Sequence, residues 1–289
     1  MKPGKMMRFF KKAVPVLIVI IIVLAIIKCG GNNSNPVDTT PPAVNAGSGL
    51  EIPSYNTGGQ IVKHTAYTLQ YNEEHEQADW VAYYLTRTRL YGGVSRTDDF
   101  REDPLVTTGS AQLDDYKYTG YDRGHMAPAG DFTWSQTVMS ESFFLSNMSP
   151  QRNSFNAGIW ETLESQVRGW ANTGNDTIFI ATGPLLRAGL PRIGARNRLS
   201  VPEYYYKALM RKTTTGLYTI AFLMKHENSS QPLSKFAITV DSLERVTGMD
   251  FFTKLPAETQ ADIESKIDVT KWPGIILNKS SLRKKSYSR

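Results

Sequence analysis

Tyr121-Asp122-Arg123-Gly124-His125-Met126-Ala127-Pro128 follows the turn-prone pair Thr119-Gly120 and packs an acid, a base, a turn residue and an imidazole into four consecutive positions. The chain has four histidines, His64, His75, His125 and His226, so a histidine-based catalyst has few candidates. On its own, however, the tetrapeptide fits a structural or solvated histidine as well as a reactive one. The next informative residues lie downstream. Asn147 closes Ser142-Phe143-Phe144-Leu145-Ser146, a run that predicts a strand, and Pro150-Gln151 predicts a break. From about Ser154 to Trp170 the residues Ile159, Trp160, Leu163, Val167 and Trp170 form an apolar stripe at helical spacing, which predicts a helix carrying Asn156, Glu164 and Arg168. On a straight α-helix, Asn156 and Glu164 stand about 80° apart around the axis and ~12 Å apart along it, so they can border one cleft without touching. Glu164 and Arg168, four apart with the acid first, also suit a plain surface ion pair.

The surrounding chain is rich in strand signals. Residues 61–71 and 79–86 are β-branched and aromatic with period-two character, and further strands are predicted at 142–147, 177–182, 203–210, 217–225 and 236–241. Asn172 to Asn175, with Gly174 inside, should end the long helix, and a shorter helix is expected around Glu258 to Ile267. Neither an internal repeat nor a dividing linker interrupts this body, so one α+β domain over residues 51–275 is the economical reading.

The net charge of +6 invites the inference of a polyanionic partner, but its distribution removes the support. Lys2, Lys5, Arg8, Lys11, Lys12 and Lys28 lie in the first thirty residues, and Lys279, Arg283, Lys284, Lys285 and Arg289 in the basic tail at 276–289; without these eleven cations the rest carries −5. Any anion-binding site must therefore be a local cluster of cations, because the global field does not attract a polyanion. Cys29 is the only cysteine, which excludes intrachain disulfides and cysteine-based zinc sites. Cations followed by an apolar run from Ala13 to Ile27 make residues 1–30 a signal peptide or membrane anchor, which predicts an extracytoplasmic body, secreted, periplasmic or tethered to the membrane. Cys29 after Ile26-Ile27-Lys28 also resembles a lipidation site, although Lys28 stands where such sites want a small residue. Residues 31–50, with Pro41-Pro42, read as a flexible stalk.

Acyl-hydrolase, nucleotide-switch and zincin chemistries lose support. There is no Gly-x-Ser-x-Gly elbow, no phosphate loop ending in Gly-Lys-Ser/Thr, and His75-Glu76 lacks the second histidine of a zincin helix.

Taken in order, Asp122-Arg123-Gly124-His125-Met126-Ala127-Pro128, then Phe144-Leu145-Ser146-Asn147-Met148-Ser149-Pro150-Gln151, then Phe155-Asn156-x-Gly158-x-Trp160 and Leu163-Glu164 resemble the DNA/RNA non-specific endonuclease family, over roughly residues 60–265. The resemblance implies a ββα-metal (His-Me finger) nuclease fold with a central antiparallel sheet, and DNA and RNA as substrates. It further implies that His125 is the general base and that Asn156 is the one direct protein ligand of Mg²⁺, with Mn²⁺ as a substitute. Glu164 would reach the metal through water, Asn147 would orient the catalytic group or the phosphate, and Arg123 and Arg168 would contact phosphate charge. Arg96 resembles the family's upstream phosphate-binding arginine, with Arg101 as a competitor. Ala157 departs from the pattern, since many relatives carry a cation after the asparagine.

These residue types suit phosphodiester hydrolysis. A neutral imidazole can take a proton from water near pH 7, a hard cation prefers oxygen ligands and keeps much of its water, and arginine forks match phosphate oxygens. A metal-dependent phosphodiesterase acting on a small substrate, an inactive nucleic-acid-binding surface module and a structural membrane-anchored protein are the competing readings. Oligomeric state leaves no mark in the sequence.

Overall fold

In the computed structural model, residues 49–55 and 57–276 are described; the leader, residues 31–48 of the stalk and residues 277–289 of the tail lie outside them. Seven antiparallel strands form the central sheet, in the order β1 (Gln60–Lys63), β2 (Tyr67–Asn72), β3 (Gln77–Thr86), β6 (Thr177–Pro184), β9 (Tyr204–Thr213), β10 (Gly216–Lys225) and β11 (Ala237–Ile238). Two ribbons stand apart from it: β4 (Asp122–His125) with β5 (Met148–Gln151), and β7 (Arg192–Ile193) with β8 (Leu199–Ser200). The helices are α1 (Leu113–Tyr116), α2 (Gln136–Glu141), α3 (Asn153–Phe155), α4 (Glu161–Ala171), α5 (Val240–Thr247) and α6 (Ala257–Glu264), with a π-helical turn at Asn156–Trp160 joining α3 to α4.

Alternation along the strands splits the sheet into two apolar faces. Val81, Tyr83, Ile178, Ile180, Tyr205 and Leu209 bury one face against Phe155, Trp160, Leu163, Val167 and Trp170. Trp80, Ala82, Phe179, Ala181, Tyr206 and Ala208 bury the other against Val240, Leu243, Phe251, Phe252 and Ile263. The sheet is thus a slab with α4 on one side and α5 and α6 on the other, the mixed helix and antiparallel-sheet architecture expected from the sequence.

Four local expectations need correction. Residues 61–71 form two strands, because His64 to Ala66 turn the chain and Lys63 pairs with Thr68. Ser142 to Asn147 is not a strand: Leu145–Asn147 is a 3-10 turn, and the strand is the next segment, Met148–Gln151, which includes the presumed breaker Pro150. A short continuous apolar run carries no period, so Phe143 and Phe144 could be assigned to either structure. Pro150 is tolerated because it lies in a two-stranded ribbon, where the Tyr205 hydroxyl donates to its carbonyl at 2.7 Å. Residues 236–241 keep only two strand residues before Thr239 caps α5, its hydroxyl accepting from the Ser242 N–H at 3.2 Å.

The fourth correction concerns the long helix. Gly158 sits at φ −114° and ψ −115°, outside helical space, within the π-helical turn. The helix is therefore kinked between Asn156 and Glu164, and the straight-helix spacing of about 80° does not apply to them.

Candidate active site

Arg123 and His125 lie on β4, whose register pairs Asp122 with Gln151 and His125 with Met148. Gly124 is needed between them, because a Cβ there would overlap the Gln151 side chain. After His125 the chain is held by Asn147, which is fully buried. The Asn147 Oδ1 accepts from the Ala127 N–H at 3.0 Å, while Nδ2 donates to the carbonyls of Ala127 and Ser142, each at 2.9 Å. Both ends of this amide are spent on backbone.

His125 differs from the other three histidines. His64 bonds Asp103 at 2.9 Å, His75 bonds Ser200 at 2.8 Å, and His226 accepts from the Arg152 N–H at 2.7 Å. Only His125 has a buried ring nitrogen, Nε2, without a hydrogen-bond partner. Its ring meets Phe143 edge-on at 5.0 Å and Phe100 at 5.7 Å between centroids. Burial, and then the charges of Arg96 and Arg123, push its pKa down to about 3, so it is neutral at pH 7. The unfolded chain therefore takes up the proton first, and the associated stability, full above the ordinary value of 6.5, is lost as pH falls towards 3. Denaturant titrations between pH 7 and pH 4 should show wild type losing stability faster than His125→Asn, by up to about 1.4 kcal/mol per pH unit; parallel curves would contradict this environment for His125.

Arg96 and Arg123 flank the imidazole. The guanidinium of Arg96 stands 4.7 Å over Phe143, and that of Arg123 stands 4.1 Å over Phe100. Arg96, Arg123, Asp122, Tyr121, Lys117 and Asn156 line part of one open cleft of about 580 Å³. Among the described residues, Arg96 ion-pairs only with Asp98, at 2.6 Å on the surface. Arg101 is already consumed: it bonds Asp99 at 2.7 Å and both the carbonyl and hydroxyl of Ser140 at 3.0 Å, and it covers Phe144.

Asn156 borders the cleft from the π-helical turn. Its Nδ2 donates to Asp122 Oδ2 at 3.0 Å, and Asn153 Nδ2 donates to the same oxygen at 2.9 Å. With the amino end of Asn156 fixed to Asp122, the carbonyl Oδ1 remains available as a ligand. An amide oxygen, with the Glu164 carboxylate further along the same kinked helical segment, is an all-oxygen donor set and fits a hard, hydrated divalent cation. The grip of Asp122 on the metal-ligand candidate emerges only from the fold.

Glu164 and Arg168 do not pair with each other. Arg168 bonds Asp131 at 3.1 Å and Ser165 at 2.9 Å, and Asp131 also accepts from the Tyr83 hydroxyl at 2.8 Å. Beneath them lies Lys207, whose side chain is fully buried with Nζ donating to Thr182 Oγ1 at 3.2 Å and standing 4.9 Å from the Trp160 ring. Burial pushes the Glu164 carboxyl up, while the Lys207 and Arg168 charges oppose that shift. Asp131 and Lys207 were missed from the sequence. The signal for Lys207 was present: it alternates with Tyr205 and Leu209 on the inward face of β9, where a lysine needs buried anions.

Comparison with known proteins completes this picture. The family model described as DNA/RNA non-specific endonuclease matches residues 46–258. The chain belongs to the DNA/RNA non-specific endonuclease family. It is 32% identical over 238 residues to nuclease C1 of Cunninghamella echinulata var. echinulata, covering 76% of this chain and 93% of that one. It is 32% identical over 226 residues to human mitochondrial endonuclease G, covering 72% and 75%. The nuclease of Serratia marcescens is 30% identical over 238 residues, covering 76% and 84%. A chain of the solved EndoG/EndoGI complex superimposes with a TM-score of 0.63 at 32% identity, covering 69% of this chain and 88% of that one. The protein is accordingly a hydrolytic nuclease of a metal-dependent family.

Proposed function

We propose that this protein is an endonuclease of the ββα-metal type that hydrolyses internal phosphodiester bonds of DNA and RNA, with Mg²⁺ as cofactor and Mn²⁺ as a substitute. One observation carries the reading: the Asn156 carbonyl, freed by the hold of Asp122 on its amino group, borders the cleft that Arg96 and Arg123 line beside a neutral, buried His125.

In this reading a backbone phosphate enters between Arg96 and Arg123, whose forked N–H groups offset its charge. Neutralising those two cations removes part of what holds down the basicity of His125. The imidazole then accepts the proton of the attacking water. Asn156 would hold the cation directly through Oδ1, and Glu164 would reach it through water. When bound, the cation stabilises charge developing on the departing 3′ oxygen. Arg168, tied to Asp131, contributes positive charge beside Glu164, and Asn147 positions the segment after His125 through backbone alone. None of these groups reads a base edge, and contacts to phosphate carry no direct sequence information, so cleavage shows little sequence preference.

The purified protein with Mg²⁺ should linearise closed circular DNA and degrade RNA lacking free ends, while cleavage restricted to mononucleotide diesters would overturn the proposal. The two arginines separate by readout. Arg96→Ala should lower kcat/KM about 10- to 100-fold, the value of a lost charged hydrogen bond, with an unchanged Tm. Arg101→Ala should lower Tm and leave kcat/KM of the folded protein within about threefold. The reverse pattern would assign the phosphate contact to Arg101.

A further inference from the structure

Away from the cleft, on the sheet face opposite α4, Asp241, Glu244 and Glu264 bring one carboxylate oxygen each to within 4.8 Å of one another. Asp241 and Glu244 lie three apart on α5, hence on one face, and Glu264 is the last residue of α6. Surface acids often gather without consequence, but Glu264 is not on the surface. It is 4% exposed, and its Oε1 is sealed from solvent without accepting a hydrogen bond. A buried carboxylate is costly, the Gln260 amide offsets only part of that cost, and this one also sits at the C-terminal end of a helix, where the backbone dipole disfavours an anion. The neighbouring charges offer little relief. Asp250 adds a further carboxylate, and Arg245, the nearby cation, turns to the Ser242 hydroxyl at 2.7 Å. Glu244 uses one oxygen to accept from the Phe251 N–H at 2.9 Å and keeps the other. Burial, followed by Glu244, Asp250 and Asp241, pushes Glu264 up to about 8. A positive charge held among the three carboxylates would relieve the cost of burying Glu264.

We propose that Asp241, Glu244 and Glu264 form a second, non-catalytic divalent-cation site that clamps α5 to α6. Its chemistry suits Ca²⁺: all donors are oxygen, the arrangement is irregular, and half-buried Asp241 and Glu244 leave room for water to complete a shell of about six to eight ligands. A single proton could neutralise Glu264 but would not join three carboxylates on two helices.

The test uses full-length protein carrying Asn156→Ala, which removes the catalytic ligand, after stripping with chelator and titration with Ca²⁺ alone. Equilibrium dialysis should find one saturable Ca²⁺ per chain. Tm should rise by about 5–10 °C at a Ca²⁺ concentration ~100 times its dissociation constant. Glu264→Gln should weaken binding at least about tenfold, the effect of removing a charged ligand from a buried site. Asp241→Asn, at a half-buried position where folding is preserved, should weaken it in the same direction. Absence of saturable binding, or binding indifferent to both substitutions, overturns the proposal. A Tm that ignores Ca²⁺ but falls as pH rises through about 8 would overturn it too, assigning the cluster to a protonated Glu264 whose stabilisation is lost on ionisation.

Discussion

His125→Ala should reduce kcat on duplex DNA by about 10³-fold, within the 10²–10⁴ range of a lost general base, while the protein remains folded. The retained fold follows from the surroundings. His125 Nε2 makes no hydrogen bond that the rest of the structure depends on, and the ring contacts only the edges of Phe100 and Phe143 among aromatic neighbours. Removing it leaves a small cavity without stranding a partner, and Asn147 still fixes Ala127 on both its N–H and its carbonyl. Single-turnover cleavage rates together with thermal unfolding check this. A folded His125→Ala protein that cuts within tenfold of wild type would exclude His125 as the base.

Asn156→Ala should have the second-largest effect, because it deletes the one direct ligand offered to the cation and also releases Asp122. We expect at least a 100-fold loss of activity at a Mg²⁺ concentration that saturates wild type, partly recovered at much higher Mg²⁺. Asp122→Ala should act through Asn156 and cost about 10- to 100-fold, as loss of a group that orients a metal ligand does. Because Asp122 touches neither the base nor the bound phosphate in this account, its deficit should appear as a raised Mg²⁺ requirement with kcat at saturating metal largely restored. A Mg²⁺ titration for each variant separates the cases, and a midpoint unchanged from wild type in both would remove Asn156 from the metal site.

Much of this was legible in the chain. Asp122 to His125 and Asn156 to Glu164 stand in sequence order with distinctive chemistry, and the apolar stripe from Ile159 to Trp170 marks the helix that carries them. The alternating strands at 79–86 and 217–225 also agree well with β3 and β10. What escaped had physical causes. The strand that pairs with Asp122 to His125 is Met148–Gln151, hidden because Pro150 reads as a breaker and the apolar Phe143-Phe144 pair reads as a strand. The π-helical turn at Asn156–Trp160 left no periodic trace, since one inserted residue only rotates the stripe. Yet that kink resets the angle between Asn156 and Glu164. Helix spacing favours Glu164 as the partner of Arg168, whereas the fold brings Asp131 from the distant 3-10 turn Ala129–Asp131. Local rules could not foresee a tertiary partner.

The central claim is that cleavage requires a cation held at Asn156 beside a neutral His125, and withdrawal of the metal from the intact protein tests it most directly. Supercoiled plasmid should survive incubation with the wild-type protein in excess chelator, and Mg²⁺ added beyond the chelator should restore nicking and linearisation. Undiminished cleavage in excess chelator would contradict the account.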